Sequence, residues 1–356
     1  MTRVMIDLRM VRGRLHGIAR YALELARRLP ALQPSWTFLG LVGPEGIPAT
    51  LGELQPRIPL IQCAAGFLSP LEQPALLASL IRASCDIFHA TSFSLPALWP
   101  GRLVATLHDA NHLALRGSYP WSRRVYYRCV VGPRARSAAA LIAPSEFSRD
   151  ELSAHLGIDP FRFQVIHPGV DRAYRPPTDS EAAAFRRARG LPQRYLVAVG
   201  NSKPHKNLSL LARLASQLPV RIALAAGSGS KARLGFPDSS IELPALSEEE
   251  MPLLYGAALA LLYPSRYEGF GFPVVEAMAA GCPVIASNAA SIPEVTGEAA
   301  QLLGPDDFDG WRETTLRIIR DDSRRREMST QGIARASRFS WEECAVRTLA
   351  VYARVL

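Results

Sequence analysis

The sequence predicts an α/β protein made of two parallel-sheet, Rossmann-like halves. Three observations carry this. Short apolar, β-branched runs alternate with helical segments along the chain, the pattern of consecutive β–α–β units. The alternation breaks once, over the proline- and arginine-rich "PGVDRAYRPPTDSEAAAFRRARGLP", and then starts afresh. The 356 residues are long for one such domain and comfortable for two.

In the first half, strands are expected at "RVMIDL", "TFLGLV", "DIFHA", "LVATLHD", "ALIAPS" and "FQVIHPG". The clearest helix is "GIARYALELARRLPAL", where Ile18, Tyr21, Ala22, Leu25 and Leu29 recur at spacings of three and four. In the second half, strands are expected at "YLVAVGN", "RIALAAG", "IELPA", "LALLYPS", "PVIAS" and "AAQLLG". Helices are expected at "KNLSLLARLASQL" and around 248–257 and 274–280. The domains are placed at 1–172 and 191–340, with a linker at 173–190 that carries an exposed helix.

Composition narrows the function. A hydrophobic fraction of 48% with 21% charged residues is that of a folded globular chain. The net charge of +9 favours anionic partners: a nucleotide, a phosphorylated lipid, a membrane surface or nucleic acid. The five cysteines are scattered and form no C-x-x-C pair, which speaks against a disulfide framework or a zinc site and for a reducing cytosol. The start "MTRVMIDLRM" does not read as a signal peptide, and no run reaches the ~20 apolar residues of a membrane span. Membrane contact, if any, is expected from the surface. No nucleic-acid reading module is evident, so nucleic acid is not expected as a partner.

Open parallel sheets bind ligands at the carboxyl ends of their strands, so residues that follow strands carry the chemistry. "VAVGNSKPHKNLSLL" sets Lys203 and Lys206 beside a helix start, where backbone N–H groups also favour an anion; a solvated helix start reads equally well. "VRGRLHGIARY" offers Gly13 and Gly17 for close backbone approach, with Arg12, Arg14 and Arg20 for charge, or is simply a flexible β–α loop. "AAGSGSKA" matches G-x-G-x-x-A, but it lies on the second strand of its half and no good helix follows. "LVATLHDANHL" ends a strand at His108-Asp109, with His112 after it; such a histidine is a ligand or acid–base candidate, or structural. Asp307 and Asp309 form a D-x-D triplet better explained by N-capping than by a metal. The stretch 121–136 mixes Trp121, Tyr126 and Tyr127 with Arg123, Arg124, Arg128, Arg134 and Arg136, and reads as an amphipathic helix or as an anionic-membrane contact.

The most telling stretch is "SRYEGFGFPVVEAMAAGCPVIAS", residues 265–287. Pro273 suits a first helical position, which puts Glu276 in the first turn. A carboxylate in so apolar a helix needs partners, and a vicinal diol such as that of ribose supplies two O–H donors to its two oxygens. The glycines of "EGFGF" bring Glu268 and free N–H groups toward a second hydroxylated group.

Taken in order, "GIARYALEL", "DIFHATSF", "TLHDANHL", "LIAPSEFSRDEL", "VIHPGVD", "VGNSKPHKNL", the 265–287 stretch, "SIPEVTGEAAQLLGPDD" and "SWEECAVRTLAVY" resemble the family 4 (group 1) retaining glycosyltransferases of the GT-B fold. The chain is similar in this to bacterial mannosyltransferases of surface-polysaccharide assembly. The resemblance implies two Rossmann-like domains facing each other across a cleft, with a last helix at 341–356 crossing back to the N-terminal, acceptor-side domain. It implies a nucleotide-sugar donor, a glycan or lipid-linked acceptor, no metal or other cofactor, and a cytoplasmic enzyme that can sit at the inner face of the membrane. Glu276 would bind the ribose, and Glu268 with the backbone of Gly269, Phe270 and Gly271 would hold the sugar. Lys206 and the N–H of Gly17 would meet the diphosphate, and His108 would lie by the sugar. The loop 227–230 and the segment ending at Leu246 would flank the base. Many members carry an arginine where this chain reads Asn201-Ser202-Lys203; Lys203 brings the charge without the guanidinium fork.

Within the same fold, an epimerase or hydrolase of nucleotide sugars, or a UDP-sugar-dependent or inverting transferase, is the competing expectation. A non-catalytic nucleotide-sugar-binding subunit would not need His108, Lys206, Glu268 and Glu276 together. A nicotinamide-linked oxidoreductase fits poorly, because the glycine fingerprint is misplaced.

Overall fold

The structure, a computed structural model, describes residues 2–12, 16–55, 57–115, 117 and 119–356. It divides into two compact units, one holding the chain up to Gly169 together with Trp341–Leu356, the other Val170–Ser340. Each is built on a parallel sheet.

In the first unit the strands are β1 (Arg3–Asp7), β2 (Thr37–Val42), β3 (Leu60–Gln62), β4 (Ile87–Ala90), β5 (Arg102–Thr106), β6 (Ala140–Ala143) and β7 (Phe163–Val165). Their order in the sheet is β3-β2-β1-β4-β5-β6-β7. β3 was not expected from the sequence. It is three residues long and only half-buried, too short to show any alternation, and its place comes from pairing with β2 at Gly40↔Leu60 and Val42↔Gln62. The helix Gly17–Leu32 buries Tyr21, Ala22, Leu25 and Leu29 of the predicted stripe, while Ile18 in its first turn is only half-buried. The last helix, Trp341–Val355, packs against it, and Tyr352 reaches His89 of β4.

The second unit contains β8 (Tyr195–Val199), β9 (Arg221–Ala225), β10 (Ile241–Glu242), β11 (Leu261–Tyr263), β12 (Val284–Ser287) and β13 (Gln301–Leu303), in the order β10-β9-β8-β11-β12-β13. β8 shows why these strands read as continuous apolar runs. Tyr195, Val197 and Val199 belong to the core on one face and Leu196 and Ala198 to the core on the other, so both faces are covered.

The segment 173–190 does not stand apart as a linker. It belongs to the second unit, and its helix Asp179–Ala188 is only partly exposed. Tyr174, Phe185 and Leu191 are buried in the core that also holds Tyr195 and Tyr255. The prolines and arginines mark its outer face; these few apolar side chains dock it.

Candidate functional site

In both sheets the strand order reverses beside the first strand of the unit, between β1 and β4 and between β8 and β11. Such switch points open a crevice at the carboxyl ends of the strands. The candidate side chains collect there.

In the second unit, the chain leaving β8 makes a short turn, Pro204–Lys206, and enters the helix Leu208–Ala215. Asn207 takes a left-handed conformation at φ 52° and its amide donates to Pro305 O at 2.8 Å, which fixes the residue after Lys206. The chain leaving β11 is tied to the same turn, since Arg266 N donates to His205 O at 2.7 Å. The loop ends at Gly271, where φ is +92° and a Cβ would lie 2.8 Å from Ile292 Cδ1, so a glycine is required. The helix Phe272–Ala279 follows.

These two turns bring Lys206 and Glu268 together. Lys206 Nζ lies 2.6 Å from Glu268 Oε1, and both side chains are largely buried. The Tyr263 hydroxyl donates to the same oxygen at 2.6 Å and accepts from Lys206 Nζ at 3.4 Å. Burial pushes the Glu268 carboxyl up, but Lys206, helped by Ser265 and Tyr263, outweighs it and holds the group below the usual carboxylate range. Burial, reinforced by the Glu268 charge, drives the Tyr263 phenol well above its ordinary value, so it stays a donor. Lys206 Nζ, bonded to Glu268 and Tyr263, keeps a third proton that can meet a ligand.

Glu276 is buried at 7% exposure, and the Tyr255 hydroxyl donates to its Oε2 at 3.3 Å. It lies in the second turn of its helix, not the first, because the helix begins at Phe272 with Pro273 in second place. The Phe270 side chain belongs to the core, in edge contact with Phe272 and Phe339, so that residue can offer only its backbone to a ligand. Gly269 lies between it and Glu268, and the Glu268 carbonyl accepts from Ser291 Oγ at 3.0 Å. Leu246 packs half-buried on the same core. In the 227–230 loop, Gly227 and Gly229 have φ of +88° and +71°, and only the four-residue helix Ser230–Arg233 follows, too short for a dinucleotide fingerprint.

Lys203 is exposed, its backbone N–H bonded to Asn201 Oδ1 at 3.1 Å. Sequence reasoning missed Arg233. Its Nε and Nη2 both lie 3.4 Å from Ser202 Oγ, which places a guanidinium beside the loop that carries Lys203. Tyr255 and Tyr263 were missed too, because nothing in the spacing of a buried tyrosine tells a core ring from one that orients a carboxylate.

In the first unit, Gly17 opens the helix Gly17–Leu32, and His16 caps it by accepting from Ala19 N at 3.4 Å. Gly13 and Arg14 lie outside the described residues. Arg12 pairs at the surface with Glu45 at 3.5 Å. His108 stands past the end of β5, its Nε2 3.0 Å from Thr91 O. A carbonyl can only accept, so Nε2 carries the proton and Nδ1 the lone pair. Burial lowers the His108 pKa to about 4, against the Thr91 contact that raises it, so the ring is neutral near pH 7. Its ring meets Tyr21 edge-on at 5.0 Å. Between the ends of β1 and β4, Arg9 is 1% exposed, with Nη2 2.7 Å from Asp7 Oδ2 and Nη1 2.8 Å from Glu72 Oε1. Ser94 Oγ donates to that Glu72 oxygen at 2.6 Å, so the network pins three loops beside the switch point.

Asp307 caps the helix Phe308–Arg320 by accepting from Gly310 N at 3.0 Å, as the sequence suggested. Among the described residues, no three His, Cys, Asp or Glu side chains gather as metal ligands. No helix among them is long and apolar enough to cross a membrane.

Comparison with known proteins agrees with this geometry. Residues 179–335 match the family model "Glycosyl transferases group 1", and residues 15–174 match "Glycosyltransferase Family 4". O-antigen chain mannosyltransferase B of Escherichia coli is 29% identical over 370 residues, covering 95% of this chain and 96% of that protein. Sucrose-phosphate synthase from Thermosynechococcus elongatus superposes with a TM-score of 0.80 at 19% identity, over 100% of this chain and 99% of that one. HepE of Anabaena, solved with UDP and glucose, gives 0.78 at 20% identity, over 99% and 100%. These structures have the same two-domain GT-B fold. With both halves matched and the glutamate pair set at the second switch point, the chain belongs to the group 1, family 4 glycosyltransferases and is a nucleotide-sugar-dependent enzyme.

Proposed function

We propose that this enzyme moves a hexose, mannose from GDP-mannose before other donors, to a hydroxyl of a glycan or lipid-linked glycan, with retention and without a metal. The Lys206–Glu268 pair at the second switch point carries the proposal. The mannose assignment is supported by the E. coli O-antigen mannosyltransferase, which matches along nearly its whole length.

Each candidate then has a task. Glu276, steadied by Tyr255, accepts from the two ribose hydroxyls. The Glu268 carboxylate accepts from a sugar hydroxyl, and the N–H groups from Gly269 to Gly271 meet others. Lys206, with Lys203 and the Gly17 N–H, stabilises the diphosphate, while Leu246 borders the base. His108, neutral, faces the sugar as a hydrogen-bonding group rather than a cation.

In the transfer, the bond between C1 of the sugar and the phosphate oxygen breaks and its electron pair stays on the phosphate. The acceptor oxygen bonds to C1 from the same face, and its proton passes to the departing phosphate. Charge grows on that phosphate in the transition state, so a preorganised ammonium is worth most there. Removing one such group typically costs about 10²–10³ in turnover, the loss expected for Lys206→Ala.

The test is product analysis with a panel of GDP- and UDP-sugars, with and without acceptor and with EDTA. A retained α-linked product from GDP-mannose, formed at full rate in EDTA, supports the reading. Release of free sugar or an epimer from donor alone would instead assign a hydrolase or epimerase. Strict Mg²⁺ dependence would count against the metal-free transfer, and near-normal turnover of Lys206→Ala against the lysine's role at the diphosphate. Such an enzyme meets its donor in the cytoplasm, and a lipid-linked acceptor would bring it to the inner membrane face.

A further inference from the structure

The turn Pro204–Lys206 holds a polar side chain to which the transfer just described gives no task, the imidazole of His205. The residue is buried, at 8% exposure. Its Nδ1 is shut from solvent and has no hydrogen-bond partner among the described residues. Nε2 has no partner among them either, but it is not shut off in the same way. A buried ring with neither nitrogen paired is uncommon in a native fold.

The backbone beneath the ring is firmly held. The His205 carbonyl accepts from Arg266 N at 2.7 Å and from Ser265 Oγ at 3.3 Å, so the residue is tied to the chain leaving β11 as well as to that leaving β8. Lys206 N donates to Lys203 O at 3.0 Å and Asn207 N to Pro204 O at 3.0 Å, which closes the turn around it. An unpaired ring on so fixed a backbone has the preorganisation of a ligand contact.

The chemistry of the ring and its neighbours selects the ligand. Burial first, then the Lys206 charge, lowers the His205 pKa to about 4; Glu268 raises it, and Lys203 lowers it by less. The ring is therefore neutral near pH 7 and carries one proton. A buried N–H without an acceptor is a rarer orphan than a lone pair, so the proton belongs on Nε2 and the lone pair on Nδ1. The reachable edge of the ring is then an N–H donor in the company of two ammonium groups. The neighbouring carboxylate, Glu268, is already engaged by Lys206 and Tyr263. A sugar hydroxyl would answer the N–H alone. A phosphate oxygen answers the N–H and is attracted by both lysines as well. An ammonium is a compact point charge on a flexible stem, whereas an N–H on a ring fixed in a turn has one direction.

We propose that His205 is a further nucleotide-sugar-binding residue, whose Nε2–H donates to a phosphate oxygen of the nucleoside diphosphate beside Lys206. The inference rests on the reading that puts the diphosphate at Lys206, and it requires neither a particular base nor a particular sugar.

The test is calorimetry of the full chain with whichever of GDP and UDP the parent binds more tightly. His205→Gln brings an amide N–H toward the place of Nε2, and His205→Asn toward that of Nδ1. His205→Asn should lose at least about tenfold in affinity, the loss usual for a hydrogen bond to a charged group, and His205→Gln less than about threefold. Equal losses in the two variants, or no loss in His205→Asn, would overturn the proposal. A second measurement uses the unmutated site. With isotope-labelled histidines, long-range proton–nitrogen spectra at pH 7 should show His205, identified by its absence in His205→Gln, as the Nε2–H tautomer. Saturating nucleotide should shift its Nε2 signal. Ring nitrogens that do not respond to the nucleotide, or a proton on Nδ1, would make His205 a packing residue. Lys206→Ala in the same calorimetry separates this role from the reading beneath it. If that variant keeps the parent's affinity, the diphosphate does not sit at this turn and both assignments fall. If it loses affinity while His205→Asn does not, only the role of His205 falls.

Discussion

Tyr263 donates a 2.6 Å hydrogen bond to Glu268 on the very oxygen that Lys206 contacts. The tyrosine ends β11 and the glutamate lies five residues on, so the strand end itself aims the carboxylate. Two donors on one oxygen hold the carboxylate against the ammonium. The pair is a preorganised dipole at the switch point, built before any ligand arrives.

Tyr263→Phe should therefore do more than loosen packing. The ring stays and only the hydroxyl goes. A hydrogen bond to a charged group is worth about 1.5–3 kcal/mol, so a fall in kcat of about tenfold or more is expected. Tyr263 is among the groups that hold the Glu268 carboxyl low, so the acid limb of the rate profile should move to higher pH. An unmoved acid limb, measured over the parent's working range, would reduce Tyr263 to a packing residue.

Arg233 carries the second prediction. The loop after β8 offers the ammonium of Lys203, while the guanidinium of Arg233 reaches the same loop at Ser202. If it supplies the fork, Arg233→Ala should weaken GDP binding by about tenfold, with Arg233→Lys in between. Binding is read by calorimetry. An Arg233→Ala variant with the parent's affinity would return the guanidinium to solvent.

Glu276 carries the third. Its partner Tyr255 lies on the helix Glu250–Gly256 and bonds one oxygen, at 3.3 Å. Glu276→Gln keeps the shape but turns one acceptor into a donor facing a diol. GDP affinity should fall by about tenfold or more, while kcat at saturating donor changes less. Tyr255→Phe should give a smaller loss in the same assay. A Glu276→Gln variant that loses kcat but keeps GDP affinity would move this residue from the ribose to the reacting sugar.

The sequence was most legible where periodicity and strand ends coincide. Every strand of the second sheet was expected, because buried parallel strands such as β8 are continuous apolar runs. β3 was not, since three edge residues carry no period and owe their place to β2. The linker was misjudged because Tyr174 and Phe185 are too few to register against the prolines and arginines around them. At the site, the glutamates, lysines and glycines announced themselves by type and spacing. Tyr263, Tyr255 and Arg233 did not: their roles come from partners five, 21 and 31 positions away, which only the folded chain assembles. The Arg9–Asp7–Glu72 network escaped for the same reason, since Glu72 is 63 residues from Arg9.

The buried histidines give a prediction about stability with a definite sign. His89 is fully buried between Tyr352 OH at 2.6 Å and Thr106 Oγ1 at 2.7 Å. Burial, with a smaller push from His108, lowers its pKa to about 3. His108 and, in the second unit, His205 are lowered mainly by burial to about 4. In each case the folded value lies below the ordinary 6.5, so the unfolded chain takes up the proton first. Stability is then complete above pH ~6.5 and is lost as pH falls toward the folded values, by up to about 1.4 kcal/mol per pH unit for one histidine. Carboxylates held low, such as Glu268, lose their contribution only below the ordinary carboxylate range, so the window from pH 6.5 to 5 isolates the histidines. Four of the five tryptophans, Trp36, Trp99, Trp121 and Trp341, lie in the first unit, so fluorescence-detected urea unfolding reports mainly on His89 and His108. The urea midpoint should fall steadily across that window. His89→Gln, which cannot titrate, should start lower at pH 7 and show a shallower slope. Identical slopes for parent and variant would mean that His89 is not the group whose protonation opposes folding.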